Sequence, residues 1–312
     1  MPLTSQQLST YNSEGFLIVP DLFKLTEFEP VIDEINQLVD DLANRLFKAG
    51  RITNRHESAG FATRLALLEK EYPGAAVLIH IGGILGPALA RIWSSPQLLD
   101  VVEQMIGPEI AGHPVWNLRS KTPFNPLVTV PWHQDTAYLA EGCHTTLQPT
   151  AWIPPVNADS VNGTLQVIRG GHKCGCVLPH HLESQVRSKA SWYLYIAEED
   201  LPEGEVVTCE MPVGSVLFIN QLIPHRSTEN LSKHVRWSVD LRWQRPDQAS
   251  GFEGIKDCIL MRTEGKPHCD IEWTQWAKQN RIADAMLDTA EPQSDEFNSM
   301  VSGPWMERWQ GK

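Results

Sequence analysis

No stretch of this 312-residue chain stays apolar for long enough to span a bilayer. The N-terminus, Met1-Pro2-Leu3-Thr4-Ser5, lacks the layout of a signal peptide, so a cytoplasmic location is expected. Positive charge is scarce. The chain has 26 Lys and Arg against 38 Asp and Glu, a net charge of −12. Nucleic acid, whose phosphates demand a basic face, is therefore not an expected partner. Neither is a membrane. Six cysteines are scattered, and the one tight pair, Cys174-Gly175-Cys176, lacks the second pair a zinc site needs. Reduced, buried thiols are expected. No internal repeat, low-complexity tract or phosphate-cradling loop is present, so a CoA thioester substrate is not supported.

What the chain does have is 42% hydrophobic content, enough at this length to bury a real core in one elaborated domain. It also has Val130-Pro131-Trp132-His133-Gln134-Asp135. In extended backbone, alternate side chains leave from one face. His133 and Asp135 can then converge on a single point from one strand end. His225, in Pro224-His225-Arg226-Ser227, is the best third ligand. Two histidines and a carboxylate on one side of a metal leave the opposite positions open, the arrangement of non-heme Fe(II) oxygenases. Downstream, Arg236-Trp237-Ser238-Val239-Asp240-Leu241-Arg242-Trp243 alternates strictly. One face is apolar. The other carries Arg236, Ser238, Asp240 and Arg242, and lines either water or a polar cavity. A guanidinium there suits a carboxylate, which it grips bidentately.

With these residues in place the chain resembles the phytanoyl-CoA dioxygenase-like branch of the Fe(II)/2-oxoglutarate oxygenases. The resemblance rests on Trp132-His133-Gln134-Asp135, Thr150-Ala151-Trp152, Asn162-Gly163-Thr164-Leu165 and Gly170-Gly171-His172-Lys173. It continues through Val213-Gly214-Ser215-Val216-Leu217-Phe218, His225-x-Ser227 and Arg236, and covers roughly residues 11 to 245. It implies Fe(II) held by His133, Asp135 and His225, with 2-oxoglutarate as cosubstrate and O2 as oxidant. Ascorbate is a supporting reductant. The far carboxylate of 2-oxoglutarate would pair with Arg236, and Ser227 would donate a hydrogen bond to it. Trp152 lies where family members set a tryptophan against the cosubstrate. Lys121 lies near the position of a basic residue facing it. Gln134 would point away from the metal, either fixing the strand or touching substrate. Asp240 and Arg242 are candidate substrate residues, or else pair with each other; pairing is the expectation. Six residues of strand place Arg242 about 20 Å from Arg236, far for one small ligand.

In chain order, Ser5 to Asn12 reads as a helix stopped by Gly15, with a strand over Phe16 to Pro20. Thr26-x-x-Glu29 reads as a capping box, and the stripe behind it, from Phe28 to Leu46, as core. Further helices are expected at 62–70 and 76–106, including Pro96 to Ile106. From Ala111 the period becomes that of strands, punctuated by Gly, Pro and Asn. Strands are expected at Val115–Lys121, Thr146–Val156, Thr164–Ile168, Glu205–Met211 and Ser215–Asn220. Many short strands after helices fit a mainly β fold, a double-stranded β-helix (a jelly-roll, cupin-like barrel) buttressed by N-terminal helices. The expected organisation is one domain over 1–312: a helical part at 1–110, a barrel core at about 111–245 and an extension at 246–312. Residues 182 to 203, with Trp192, Tyr193 and Tyr195, form an insertion placed where a lid would sit. Residues 247 to 268 look irregular, and Glu272 to Leu287 amphipathic. The tail wraps the barrel, reaches a partner subunit or closes over the site; the sequence leaves these open. His172, His180 and His181 are expected to be structural, since adjacent residues such as His180 and His181 point apart.

The expected function is oxidation, usually hydroxylation, of a small molecule with release of succinate and CO2. The protein is expected to be a monomer or homodimer. A halogenase is disfavoured because Asp135 is present, and a zinc hydrolase leaves Ser227 and Arg236 unexplained. A catalytically silent barrel that binds a ligand or partner is the alternative from another class.

Overall fold

The computed structural model describes residues 2–81, 85–182, 193–252, 257–277, 296–299, 301 and 303–309. Helices come first. They are α1 (Ser5–Glu14), α2 (Leu25–Lys48), α3 (Arg64–Glu71), α4 (Ala75–Ile81), α5 (Pro87–Trp93) and α6 (Pro96–Ile106), with β1 (Phe16–Val19) between the first two. Then come β2 (Ile110–Gly112), β3 (Asn117–Lys121), β4 (Thr150–Ile153), β5 (Leu165–Ile168), β6 (His181–Leu182) and β7 (Leu194–Tyr195). They are followed by β8 (Val206–Cys209), β9 (Val216–Ile219), β10 (His225–Ser227), β11 (Arg236–Gln244), β12 (Ile259–Arg262) and α7 (Trp273–Ala277). A last short helix spans Pro304–Trp309.

All strand pairings are antiparallel. A seven-stranded sheet runs β1-β9-β4-β11-β2-β12, with β3 also bonded to β11. A second sheet runs β10-β5-β8, and β6 pairs β7 alone. The two-residue period of each strand divides the core in two. Val216 and Phe218 of β9, Ala151 and Ile153 of β4, and Trp237, Val239, Leu241 and Trp243 of β11 pack with the helices. The alternate residues Leu217, Ile219 and Trp152 meet Leu165, Val167 and Cys209 of the second sheet. The space between the sheets is thus apolar toward β1 and polar toward β11.

Several local expectations shift. The second helix starts at Leu25, not behind Thr26. Lys24 is its N-cap, and its backbone N–H donates to Glu27 at 2.8 Å, so Glu27 rather than Glu29 closes the cap. Residues 247–268, expected to be irregular, supply β12, which pairs with β2 through a register shift between Leu260 and Arg262. Of the expected helix over Glu272 to Leu287, Trp273–Ala277 is helical, and residues 278–287 lie outside the described residues. So does Trp192 of the insertion. Cys174 and Cys176 are exposed rather than buried. Among the described residues no helix is long and apolar enough to cross a membrane.

Gly15 marks a close approach of the N-terminal part to the second sheet's loops. At φ +84° a Cβ there would lie 2.4 Å from His172 Nδ1. His172 in turn meets the Asn12 carbonyl at 3.0 Å, a structural role.

Trp237 tests the helix–sheet seam. It is fully buried, stacks on Phe61 with ring centroids 5.6 Å apart, and donates to the Phe61 carbonyl at 3.2 Å. Trp237→Ala should cost about 3–5 kcal/mol in urea unfolding. A loss under about 1 kcal/mol would show that this seam is not core.

Candidate active site

His133 and His225 face each other as an isolated antiparallel bridge. The N–H of each donates to the carbonyl of the other, at 3.0 and 2.9 Å. The segment before His133 is thus not a full strand as expected. The bridge and a bond from the Ser227 N–H to the Val130 carbonyl at 3.0 Å pin it, and the chain turns at once into a 3-10 helix, Asp135–Tyr138. Gln134 has extended geometry (φ −113°, ψ 136°), enough to send His133 and Asp135 to the same side. The imidazole rings lie 4.1 Å apart. His133 Nδ1 sits 2.8 Å from the Pro131 carbonyl and His225 Nδ1 3.0 Å from that of Ile223, which makes Nδ1 the protonated nitrogen in each. Both Nε2 atoms keep a lone pair and lie 3.9 Å from Asp135 Oδ1. Burial, then the neighbouring His225, holds His133 well below the ordinary imidazole range, so its ring is neutral and can ligate. Three ligand atoms within 4.8 Å of one another fit a divalent cation held on one face.

Asp135 is itself held. Register places Thr150 of β4 beside Arg242 of β11, so both reach the same carboxylate. Arg242 donates through Nε to Oδ2 at 3.1 Å and through Nη2 to Oδ1 at 2.8 Å; Thr150 Oγ1 donates to Oδ2 at 2.9 Å. Burial works to raise the Asp135 pKa, but the Arg242 guanidinium and the two histidines overcome it and hold the carboxyl well below its usual range. The expected Asp240–Arg242 pairing is not what forms. Asp240 pairs instead with Arg119, 3.1 Å away on β3, whose position faces Ser238 across the ladder. The reason is topological: successive inward residues of β11 meet different neighbouring strands.

One cavity, of about 60 Å³, runs along the polar face of β11 from Arg236 to Arg242, with the triad beside Arg242. Its far end is cationic. Lys121 lies opposite Arg236 in the β3–β11 ladder. Lys121 Nζ donates to Ser227 Oγ at 2.7 Å and also to the Thr228 carbonyl. Ser227 Oγ accepts a second bond, from the Val130 N–H at 2.9 Å, which leaves its own proton to donate. Arg236 donates to Ser238 Oγ at 2.6 Å and the Gly163 carbonyl at 2.9 Å, and stacks over Trp152 at 5.1 Å. Its buried Nε has no hydrogen-bond partner. Burial pushes the Arg236 pKa down to about 10, which keeps it cationic at neutral pH, while burial and Arg236 together drive Lys121 well below its ordinary value. An orphaned guanidinium donor beside a second buried basic group fits an anion.

A second chamber, of about 210 Å³, meets the first at His133, Asp135 and Arg242. Tyr193 of the insertion lines both cavities. Gln134 lines neither, which corrects its candidacy as a substrate residue. Its amide donates to the Leu222 carbonyl at 2.6 Å and accepts from the Leu178 N–H at 2.7 Å. His180 Nε2 accepts the Gln134 N–H at 3.1 Å, so His180 also braces this segment. Sequence reasoning missed Thr150 and Arg119 as site residues, and the walls Tyr138, Phe252 and Trp305. Thr150 had a signal in the Thr150-Ala151-Trp152 motif; the others had none.

The sequence pattern of the phytanoyl-CoA dioxygenase (PhyH) family matches residues 11–238. The chain belongs to that family. It is a non-heme Fe(II)/2-oxoglutarate dioxygenase. Among curated proteins it is similar to ectoine dioxygenase of Bordetella parapertussis, 24% identical over 251 residues, 76% of this chain and 74% of that one. Among solved structures, EctD from S. alaskensis with bound Fe superposes with a TM-score of 0.51 at 18% identity, covering 78% of this chain and 77% of EctD. EvdO2 from Micromonospora carbonacea var. aurantiaca, complexed with 2-oxoglutarate, gives 0.50 at 19% identity, covering 86% and 98%. These likenesses are of fold.

Removing Arg242 would leave Asp135 as a buried carboxylate without its main counter-charge, a loss worth about 3–5 kcal/mol. Arg242→Met should therefore melt well below the parent when stripped of metal. A divalent cation should stabilise the variant more than it stabilises the parent, since it supplies the missing charge. Equal melting points for the two stripped proteins would contradict the pairing.

Proposed function

We propose that this dioxygenase hydroxylates a small molecule with release of succinate and CO2, within one domain whose two sheets are the faces of a double-stranded β-helix. His133, Asp135 and His225 hold Fe(II) at the junction of the two chambers. The observation that carries this reading is the pair of histidines whose Nδ1 atoms are tied to backbone carbonyls while both Nε2 atoms face Asp135. Bound iron supplies the activation of O2 and the oxidation of a C–H bond. The chain's part is positioning and charge.

The inner chamber takes 2-oxoglutarate. Its far carboxylate would be held by Arg236 and Lys121, with the Ser227 proton as a third donor, which would leave its oxoacid end toward His133, Asp135 and His225. Trp152 holds Arg236 from one side and excludes water from that carboxylate. Arg242 and Thr150 fix the plane of the Asp135 carboxylate and keep it ionised, so no proton competes with the metal there. The substrate occupies the outer chamber, which has over three times the room. EctD with iron and EvdO2 with 2-oxoglutarate support the same assignment of cofactors.

Succinate formation with Fe(II), ascorbate and 2-oxoglutarate tests this. His133→Ala, Asp135→Ala and His225→Ala should each abolish it and lose iron without unfolding. Arg236→Ala should weaken 2-oxoglutarate by about 2–5 kcal/mol, and Arg236→Lys should recover only part, because an ammonium lacks the fork. Full iron binding by His225→Ala, or unchanged 2-oxoglutarate affinity in Arg236→Ala, would overturn the assignment. Succinate-free protein that still binds both cofactors would point to a silent barrel.

A further inference from the structure

The outer chamber is closed by residues beyond 238, where the family match ends. Phe252 and Trp305 both line it. The Trp305 ring packs on Tyr138 with centroids 5.6 Å apart and on Phe252 at 6.1 Å. The helix that carries Trp305 is fastened to the metal-site segment itself. Arg308 Nη2 donates to the Tyr138 carbonyl at 2.6 Å and Trp309 Nε1 to that of Ala137 at 2.9 Å. Those carbonyls belong to the 3-10 helix that Asp135 begins. The Trp309 ring also lies 5.2 Å from that of His180, which accepts the N–H of Gln134. The tail is thus joined to the chain on both sides of the ligand Asp135.

The chemistry of the lining narrows what fits. Among the described residues the one carboxylate facing this chamber is Asp135, and Arg242 and Thr150 already engage it. Nothing there offers a counter-charge to an ammonium group. His80 and His113 are held neutral by burial, at about 3 and about 4, and add no charge of their own. Arg119 faces the chamber too. Its Nε donates to Asp240, but its Nη1 has no hydrogen-bond partner. The lining is therefore largely aromatic and apolar, and Arg119 brings it a cationic donor with no partner.

Building on the reading of the triad as an iron site, we propose that the C-terminal helix forms the substrate wall, and that the chamber takes a flat ring bearing a carboxylate. The ring lies against Trp305, Tyr138 and Phe252, and the carboxylate turns to Arg119. This makes Trp305 and Arg119 specificity-determining residues contributed by parts of the chain far apart in sequence.

Calorimetry on the full-length protein loaded with Ni(II) and 2-oxoglutarate tests it, with 3-phenylpropionate, 3-phenylpropylamine and propionate as probes. The ring acid should bind about tenfold tighter than either the ring amine or propionate. Trp305→Ala should weaken the ring acid about fivefold and Trp305→Phe should retain it, with 2-oxoglutarate affinity the same in both. Arg119→Gln should erase the preference for the ring acid over the ring amine. No binding of the ring acid, an amine bound as tightly, or an alanine variant that binds as the parent does would overturn the proposal. Failure of the metal-loaded parent to bind 2-oxoglutarate would overturn the iron-site reading and this proposal with it.

Discussion

Two backbone hydrogen bonds between His133 and His225 set the whole site. They join a loop to the edge of the smaller sheet, and a further bond from the Ser227 N–H to the Val130 carbonyl at 3.0 Å continues the contact. Because they pair the two histidines directly, both rings leave from one point at 4.1 Å. Carbonyls two residues upstream of each histidine then fix both tautomers. Asp135 follows one extended residue later, and the 3-10 turn beginning at Asp135 keeps its carboxylate from moving on along a strand. A shift of one residue in this bridge would turn His133 away and bring Gln134 inward.

Charge organises what lies around the triad. β11 carries Arg236, Asp240 and Arg242 on one face; the first two lie beside β3, which brings them Lys121 and Arg119, while Arg242 lies beside β4. Asp240 is answered by Arg119 and Arg242 by Asp135, while Arg236 and Lys121 are buried basic groups with hydrogen bonds but, among the described residues, no carboxylate within ion-pair distance. Burying such groups is costly unless an anion completes them. The cavity is therefore graded from a cationic end to a metal end. A dicarboxylate oxoacid matches both.

The alternation of β11 and the His133 and Asp135 spacing were legible in the sequence because they follow local periods of two, and His225 was legible from its own motif, Pro224-His225-Arg226-Ser227. The same periods placed β4, β5, β8 and β9 within a few residues of where they lie. What was not legible depends on pairing between distant strands. Arg242 meets Asp135, 107 positions away, because β4 and β11 share a register that no local pattern reports. Likewise β12 is too short and too mixed in composition to stand out, and it forms because β2 offers it an edge. The tail's tryptophans read only as apolar residues near an end. The bonds from Trp309 to the Ala137 carbonyl and from Arg308 to the Tyr138 carbonyl follow from tertiary packing alone.

The central claim is that one iron sits where the two chambers meet and that 2-oxoglutarate reaches it from the inner one. Anaerobic titration followed by visible absorption tests this most directly. The account predicts a charge-transfer band that needs both Fe(II) and 2-oxoglutarate and saturates at one equivalent of each. Protein that binds iron while 2-oxoglutarate leaves its spectrum unchanged would contradict it.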